Sequence, residues 1–241
     1  MPALLALERV SKSYGALKAI DGIDLAVTEG EALGVIGPNG AGKTTMFNLI
    51  TGDVMPDQGR VLLGGDDITR AKPHRRSRLA IARTYQIPHP FANMTVFENL
   101  LVGAIFGAGR TERASYERCA AVLEIAGLLS RANAPARTLT LLQRKRLELA
   151  RALTLEPKLL LLDEIGGGLT EPECLALVET IRTIHAQGVT IVWIEHIVHA
   201  LVSVASRLVV MNFGRVLAEG APRAVMADPR VQEVYMGIPA S

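Results

Sequence analysis

Apolar and polar positions alternate with period two from Ile23 to Val27, and a second short apolar run, Val61–Leu63, halts at Gly64-Gly65. This spacing predicts antiparallel strands with one buried face. A different pattern appears in the unbroken apolar runs Ala32–Ile36, Leu159–Leu162 before Asp163, Val189–Ile194 before Glu195, and Leu208–Met211 before Asn212-Phe213-Gly214. Such runs suit strands covered on both faces, as in a parallel sheet. From about Pro88 to Leu155 strand signals vanish, and apolar residues recur at helical spacing: Cys119, Val122, Leu123 and Ala126, then Leu147, Ala150 and Leu153. Pro88, Pro90 and Pro135 punctuate this stretch, because proline removes a donor and disfavours helix before itself. The chain therefore reads as one α/β domain over residues 1–241, with its core in 1–87 and 156–241 and a helical subdomain in 88–155.

The turn after Ala32–Ile36 carries the first chemistry. Gly37–Thr45 reads GPNGAGKTT and fits G-x-x-x-x-G-K-[ST], a loop whose backbone amides surround phosphates. Gly37, Gly40 and Gly42 allow the backbone to approach an anion, with Pro38, Asn39 and Ala41 between them. The segment Thr44–Ile50 reads as a helix whose free amides and partial positive charge favour an anion at its start. Lys43 adds a full charge over the terminal phosphates, Thr44 offers a hydroxyl to Mg²⁺, and Thr45 continues the binding turn. A chance match would not bring a strand before the loop and a helix after it.

Two carboxylates, Asp163 and Glu164, follow the buried run Leu159–Leu162, at the strand end where open α/β sheets bind ligands. Asp163 suits Mg²⁺ and Glu164 suits a water that attacks a phosphoryl group, the other reading being an acidic pair that caps the next segment. His196 leaves the end of Val189–Ile194 in the same way and could donate a hydrogen bond to a terminal phosphate. His196 and His199 also have helical metal-pair spacing, but no third ligand recurs nearby. His74, His89 and His185 have no partner pattern and read as surface or packing residues.

Composition narrows the class. With 26 Lys plus Arg against 24 Asp plus Glu, the formal charge is +2, and aromatics make up 4%, which together argue against a nucleic-acid partner. Cys119 and Cys174 lie far apart, without the spacing of a disulfide framework or zinc site, and suit a reducing compartment. The opening MPALLALERV lacks a basic region and a long apolar stretch, so no leader and no membrane span are expected. A mean hydropathy of +0.26 then calls for a large core, for partners, or for both.

Taken in order, these motifs resemble the nucleotide-binding subunit of an ATP-binding cassette (ABC) transporter over nearly the whole chain. The resemblance places the adenine-stacking aromatic on Tyr14 of VSKSYG, the glutamine that links Mg²⁺ to the membrane partner on Gln86 of RTYQ, and the switch histidine on His196. Asp163 and Glu164 match the metal aspartate and the catalytic glutamate. It implies a P-loop NTPase core with a mostly parallel sheet, an N-terminal antiparallel β arm and a helical insertion. GPNGAGKTTMFNLITG, RTYQIPHPFANMTVFENLLVG, IEHIVHAL and VYMG are similar to the branched-chain amino acid importer subgroup. The likeness further implies an ATPase that uses ATP and Mg²⁺ and closes as a homo- or heterodimer. It would serve transmembrane permease subunits, and indirectly an extracytoplasmic binding protein, from the cytoplasmic face of the inner membrane.

Two departures from the family pattern stand out. The signature L-S-G-G-Q aligns with LTLLQ, Leu139–Gln143, where Thr140 and Gln143 keep polar groups for a nucleotide and leucines replace both glycines. Leu142 is expected to crowd a phosphate there, which makes weak hydrolysis the alternative reading, with urea or amide import as another. IGGGLT after Glu164 puts Ile165 and Thr170 in place of expected residues, and its three glycines suggest a mobile loop. IPHPF, Ile87–Phe91, is apolar and cannot be helical, which suggests an exposed groove for a membrane partner. No guanine-reading NKxD segment and no coiled-coil heptads occur.

Overall fold

The computed structural model describes residues 3–236; Met1, Pro2 and residues 237–241, including Gly237 of VYMG, lie outside the described residues. The chain opens with two long strands, β1 (Ala3–Tyr14) and β2 (Leu17–Thr28), followed by β3 (Ala32–Ile36) and helix α1 (Lys43–Thr51). Next come β4 (Gln58–Leu63), β5 (Asp66–Asp67), α2 (Pro73–Arg78) and β6 (Ile81–Arg83). Helices α3 (Val96–Val102), α4 (Glu112–Ile125) and α5 (Leu141–Leu153) fill the stretch before β7 (Leu159–Asp163). The remainder alternates: α6 (Glu171–Ala186), β8 (Thr190–Ile194), α7 (Val198–Val202), β9 (Arg207–Asn212), β10 (Arg215–Gly220), α8 (Pro222–Met226) and α9 (Pro229–Met236).

Two sheets result. The first has the order β2-β1-β4-β5 and is antiparallel. The alternating stretches Ile23–Val27 and Val61–Leu63 do not pair with each other; both pair with β1, from either side. The second sheet has the order β10-β9-β3-β8-β7-β6, parallel throughout except for β10.

Strand period two divides the core. Leu160 and Leu162 of β7 point to one side, with Ile191 and Trp193 of β8, and pack with α4, α5 and α6. Leu159 and Leu161 point to the other, with Val192 and Ile194, and meet Met46, Phe47 and Ile50 of α1 and the first sheet. Every residue of β7 and β8 is buried, which is why both read as solid apolar runs. The helical spacing places Cys119, Val122 and Leu123 of α4 and Leu147, Ala150 and Leu153 of α5 in the first core. Cys119 and Cys174 are buried free thiols.

Candidate active site

The phosphate loop bridges β3 and α1, and sterics dictate its glycines. A Cβ on Gly37 would lie 2.3 Å from the Met211 carbonyl oxygen, and one on Gly42 would lie 2.5 Å from that of Ala19. Gly42 also has φ 101°, in the left-handed region, and caps α1 without any side-chain bond to the helix's first amides. Those amides stay available to an anion. Lys43 is 5% exposed, and its Nζ donates to Gly37 O at 2.7 Å and Pro38 O at 3.1 Å. Burial holds its ammonium below the usual lysine range, against the opposing pull of the Glu164 and Asp163 carboxylates. Among the described residues it is a desolvated cation bonded only to carbonyls, which is the state a phosphate chain relieves.

A cavity of about 300 Å³ opens over this loop, lined by Tyr14, Leu17, Asn39, Gly40, Lys43, Thr44, Thr45, Glu164 and Phe213. Larger hollows exist, one of about 1110 Å³ beside β4 and β5, but they lack the loop. Tyr14 stands half-exposed at the cavity wall with Lys12 Nζ 5.8 Å from its ring centroid. Phe213, 84% exposed and at φ 45° in the β9–β10 turn, is a wall residue that the sequence reading passed over.

Glu164 leaves β7 in the left-handed region, φ 47°, with its amide donating to Ile194 O at 2.9 Å. Its side chain is clasped from two sides. Gln86 Nε2 donates to Oε2 at 2.7 Å, and His196 Nε2 lies 2.9 Å from Oε1. Asp163 is nearly buried and its Oδ2 accepts from Arg83 Nη2 at 2.7 Å. Thr44, Asp163 and Gln86 each carry a side-chain oxygen, the donor type that a hard divalent cation requires.

Glu195 was missed by the sequence reading, although it precedes His196. It is 2% exposed, and its two oxygens accept from Gly166 N at 2.6 Å and His196 N at 2.9 Å. A Cβ on Gly166 would meet Glu195 Oε1 at 2.7 Å. The glycines after Glu164 lie in a hydrogen-bonded turn, in which the Gly166 amide is fastened to this carboxylate. Lys145, also buried, reaches Gln86 O at 3.4 Å, so α5 touches the Gln86 segment.

The structure does not bring Thr140 and Gln143 to the cavity. They form a capping box at the start of α5, with Thr140 Oγ1 accepting from Gln143 N at 3.3 Å and Gln143 Oε1 accepting from Thr140 N at 3.1 Å. Leu142 is partly buried and packs against the core, whereas its neighbour Leu141 is exposed and lies against Gly168. A second hollow, of about 410 Å³, lies between β6 and the helices, with Tyr85, Phe106, Glu148 and Arg151 on its walls. Phe106 on its wall is exposed, as are Ile87 and Phe91 of the segment after Gln86, and the wall residue Arg151 lies over the Phe91 ring at 5.1 Å.

A family profile described as "ABC transporter" matches residues 20–166, and one described as "Branched-chain amino acid ATP-binding cassette transporter" matches residues 215–240. The chain is 37% identical to the high-affinity branched-chain amino acid transport ATP-binding protein BraF of Pseudomonas aeruginosa, across 97% of this chain and 98% of that one. It is 36% identical to a probable branched-chain amino acid transport ATP-binding protein of Archaeoglobus fulgidus, across 97% and 95%. Among solved structures, the ADP conformation of an ATP-binding cassette of an ABC transporter superposes with a TM-score of 0.92 at 33% identity, covering 99% of this chain and 100% of that one.

Proposed function

The chain belongs to the ABC transporter family, as an ATP-binding and ATP-hydrolysing subunit, and from that membership we propose how its residues act and what it moves. The clasp of Gln86 and His196 on Glu164, beside the Lys43 loop, is the observation that carries the reading. On binding, the triphosphate replaces Gly37 O and Pro38 O as the partner of Lys43, and the amides of Gly40–Thr45 close on the phosphate oxygens. Tyr14 stacks on the base.

Glu164 accepts the proton of the water that attacks the terminal phosphoryl group, and the two hydrogen bonds hold it in line. His196 then donates toward the departing phosphate. Mg²⁺, when bound by Thr44, Gln86 and Asp163, would neutralise charge on the phosphates. Thr140 and Gln143 serve a second copy or a related subunit, since they lie outside this chain's own cavity. Closure of such a dimer on two nucleotides, and its release after hydrolysis, moves the helical segment 88–155 against the core in 1–87 and 156–241.

Among the described residues no helix is long and apolar enough to cross a membrane, so the passage belongs to permease subunits. A permease helix occupies the hollow beside Tyr85 and Phe106, with Ile87 and Phe91 at its rim, and holds the chain at the inner face of the membrane. The names of the relatives support branched-chain amino acids as the cargo, handed over by an extracytoplasmic binding protein. Reconstituted with those partners, the chain should drive ATP-dependent uptake of labelled leucine. ATP hydrolysis without uptake of any branched-chain amino acid would overturn the cargo assignment.

A further inference from the structure

Arg83, the last residue of β6, has a side chain that is 5% exposed. Its Nη2 donates to Asp163 Oδ2 at 2.7 Å and its Nη1 to Asn48 Oδ1 at 2.6 Å, while Nε has no hydrogen-bond partner among the described residues. The guanidinium also meets two rings, with its carbon 5.5 Å from the Phe47 centroid and 5.0 Å from the Tyr85 centroid. Phe47 and Asn48 belong to α1, which begins at Lys43. Tyr85 is half-exposed and lines the 410 Å³ hollow together with Arg83. One planar cation thus touches the phosphate-loop helix, the strand-end aspartate and the wall of the hollow.

We propose that Arg83 is a positioning residue for Asp163, and that its stack on Tyr85 makes the set of that carboxylate depend on what fills the hollow. The inference rests on the reading of Asp163 as a metal-holding residue. A buried carboxylate with one oxygen in a charge-assisted bond keeps a single orientation, and the fork that fixes it is itself fixed by Asn48 and the two rings. Lysine supplies the charge but neither the fork nor the flat face. Tyr85 is the exposed member of this stack, so a segment entering the hollow reaches Asp163 through two contacts, by a route separate from Gln86.

Charge alone predicts the opposite sign. Removal of a cation beside a metal site should strengthen metal binding, whereas loss of positioning should weaken it. The test is Mn²⁺ affinity by electron paramagnetic resonance on the full chain with the β,γ-imido analogue of ATP, paired with metal-free binding of the same analogue by calorimetry. R83K and R83M should each weaken Mn²⁺ about tenfold or more, with metal-free analogue affinity held within about twofold. R83M leaves Asp163 without its buried counter-charge and can fail to fold, in which case R83K decides.

Y85F should match the unaltered protein, because the ring is retained. Y85A should lose part of the Mn²⁺ affinity, and that loss should disappear in the R83K background. Unchanged or tighter Mn²⁺ binding in the arginine variants overturns the positioning role. A Y85A loss that persists undiminished beside R83K overturns the link to the hollow. If the unaltered chain binds the metal-free analogue but no Mn²⁺, Asp163 as metal holder falls with the inference; if it binds neither, the nucleotide reading itself falls.

Discussion

Glu164 and His196 face each other, Oε1 to Nε2 at 2.9 Å, because their strands run parallel in adjacent positions. The register sets Asp163 of β7 opposite Ile194 of β8, so the residues that leave both strands emerge at one edge. Glu195 then holds the two exits together through the amides of Gly166 and His196. The pairing of Glu164 with His196 is thus a product of strand register and one buried carboxylate.

Glu164→Gln keeps the shape of the clasp and removes the proton acceptor. Turnover should fall by about 10² to 10⁴ with ATP binding retained, as measured by phosphate release and calorimetry on the same sample. Unchanged turnover would move the general base to another residue.

Lys43→Ala deletes an ammonium that stands among loop carbonyls at the cavity. Charge-assisted bonds of this kind contribute about 1.5–3 kcal/mol, so ATP affinity should drop roughly ten- to hundredfold. Calorimetric titration decides it, and an affinity within a factor of about two of the unaltered protein would remove Lys43 from the binding role.

Among the described residues Arg76 is the largest fully buried side chain, and it forms no ion pair with a carboxylate of those residues. Its guanidinium donates instead to the carbonyls of Leu49, Ile50, Thr69 and Ala71, closing the C-terminal end of α1. Arg76→Met should strand several of these acceptors at once and destabilise the fold by on the order of 3 kcal/mol. Thermal melting should shift down by roughly 6–12 °C. A shift under about 2 °C would mean that the carbonyls find other donors.

Buried parallel strands and the phosphate loop were plain in the sequence, because solid apolar runs and a glycine pattern leave few alternatives. β1 was not. It carries Leu4, Leu5, Leu7 and Val10 into the core, but a bulge near Arg9, at φ 47°, breaks the alternation that marks a strand. β6 is three residues long and β10 only half-buried, so neither has a periodic signal. At the site, the loop residues, Asp163, Glu164 and His196 could be picked out by chemical type and position. Arg83 and Glu195 could not, since their roles come from contacts 80 and 29 residues away in the chain. Which of Leu141 and Leu142 turns inward was not legible either, because packing in the first turn of α5 sets that choice.

Glu148 offers a check through pH. It is 8% exposed on α5, and burial raises its carboxyl above the usual glutamate range, with Arg151 and the neighbouring His89 opposing the shift. For an acid whose folded pKa exceeds its unfolded one, the folded state binds more protons in the interval between the two. Stability from this group therefore falls as pH rises from the ordinary value of about 4.5 through the folded pKa, then levels off. Glu148→Gln removes the ionisation at nearly constant shape. In chemical denaturation from pH 4 to pH 8, on the order of one point per half unit, the variant should gain on the unaltered protein across that interval and hold a constant lead beyond it. A difference that is flat with pH would show that the Arg151 pair cancels the effect of burial, and one that narrows as pH rises would show that the pair outweighs it and favours the charged carboxylate.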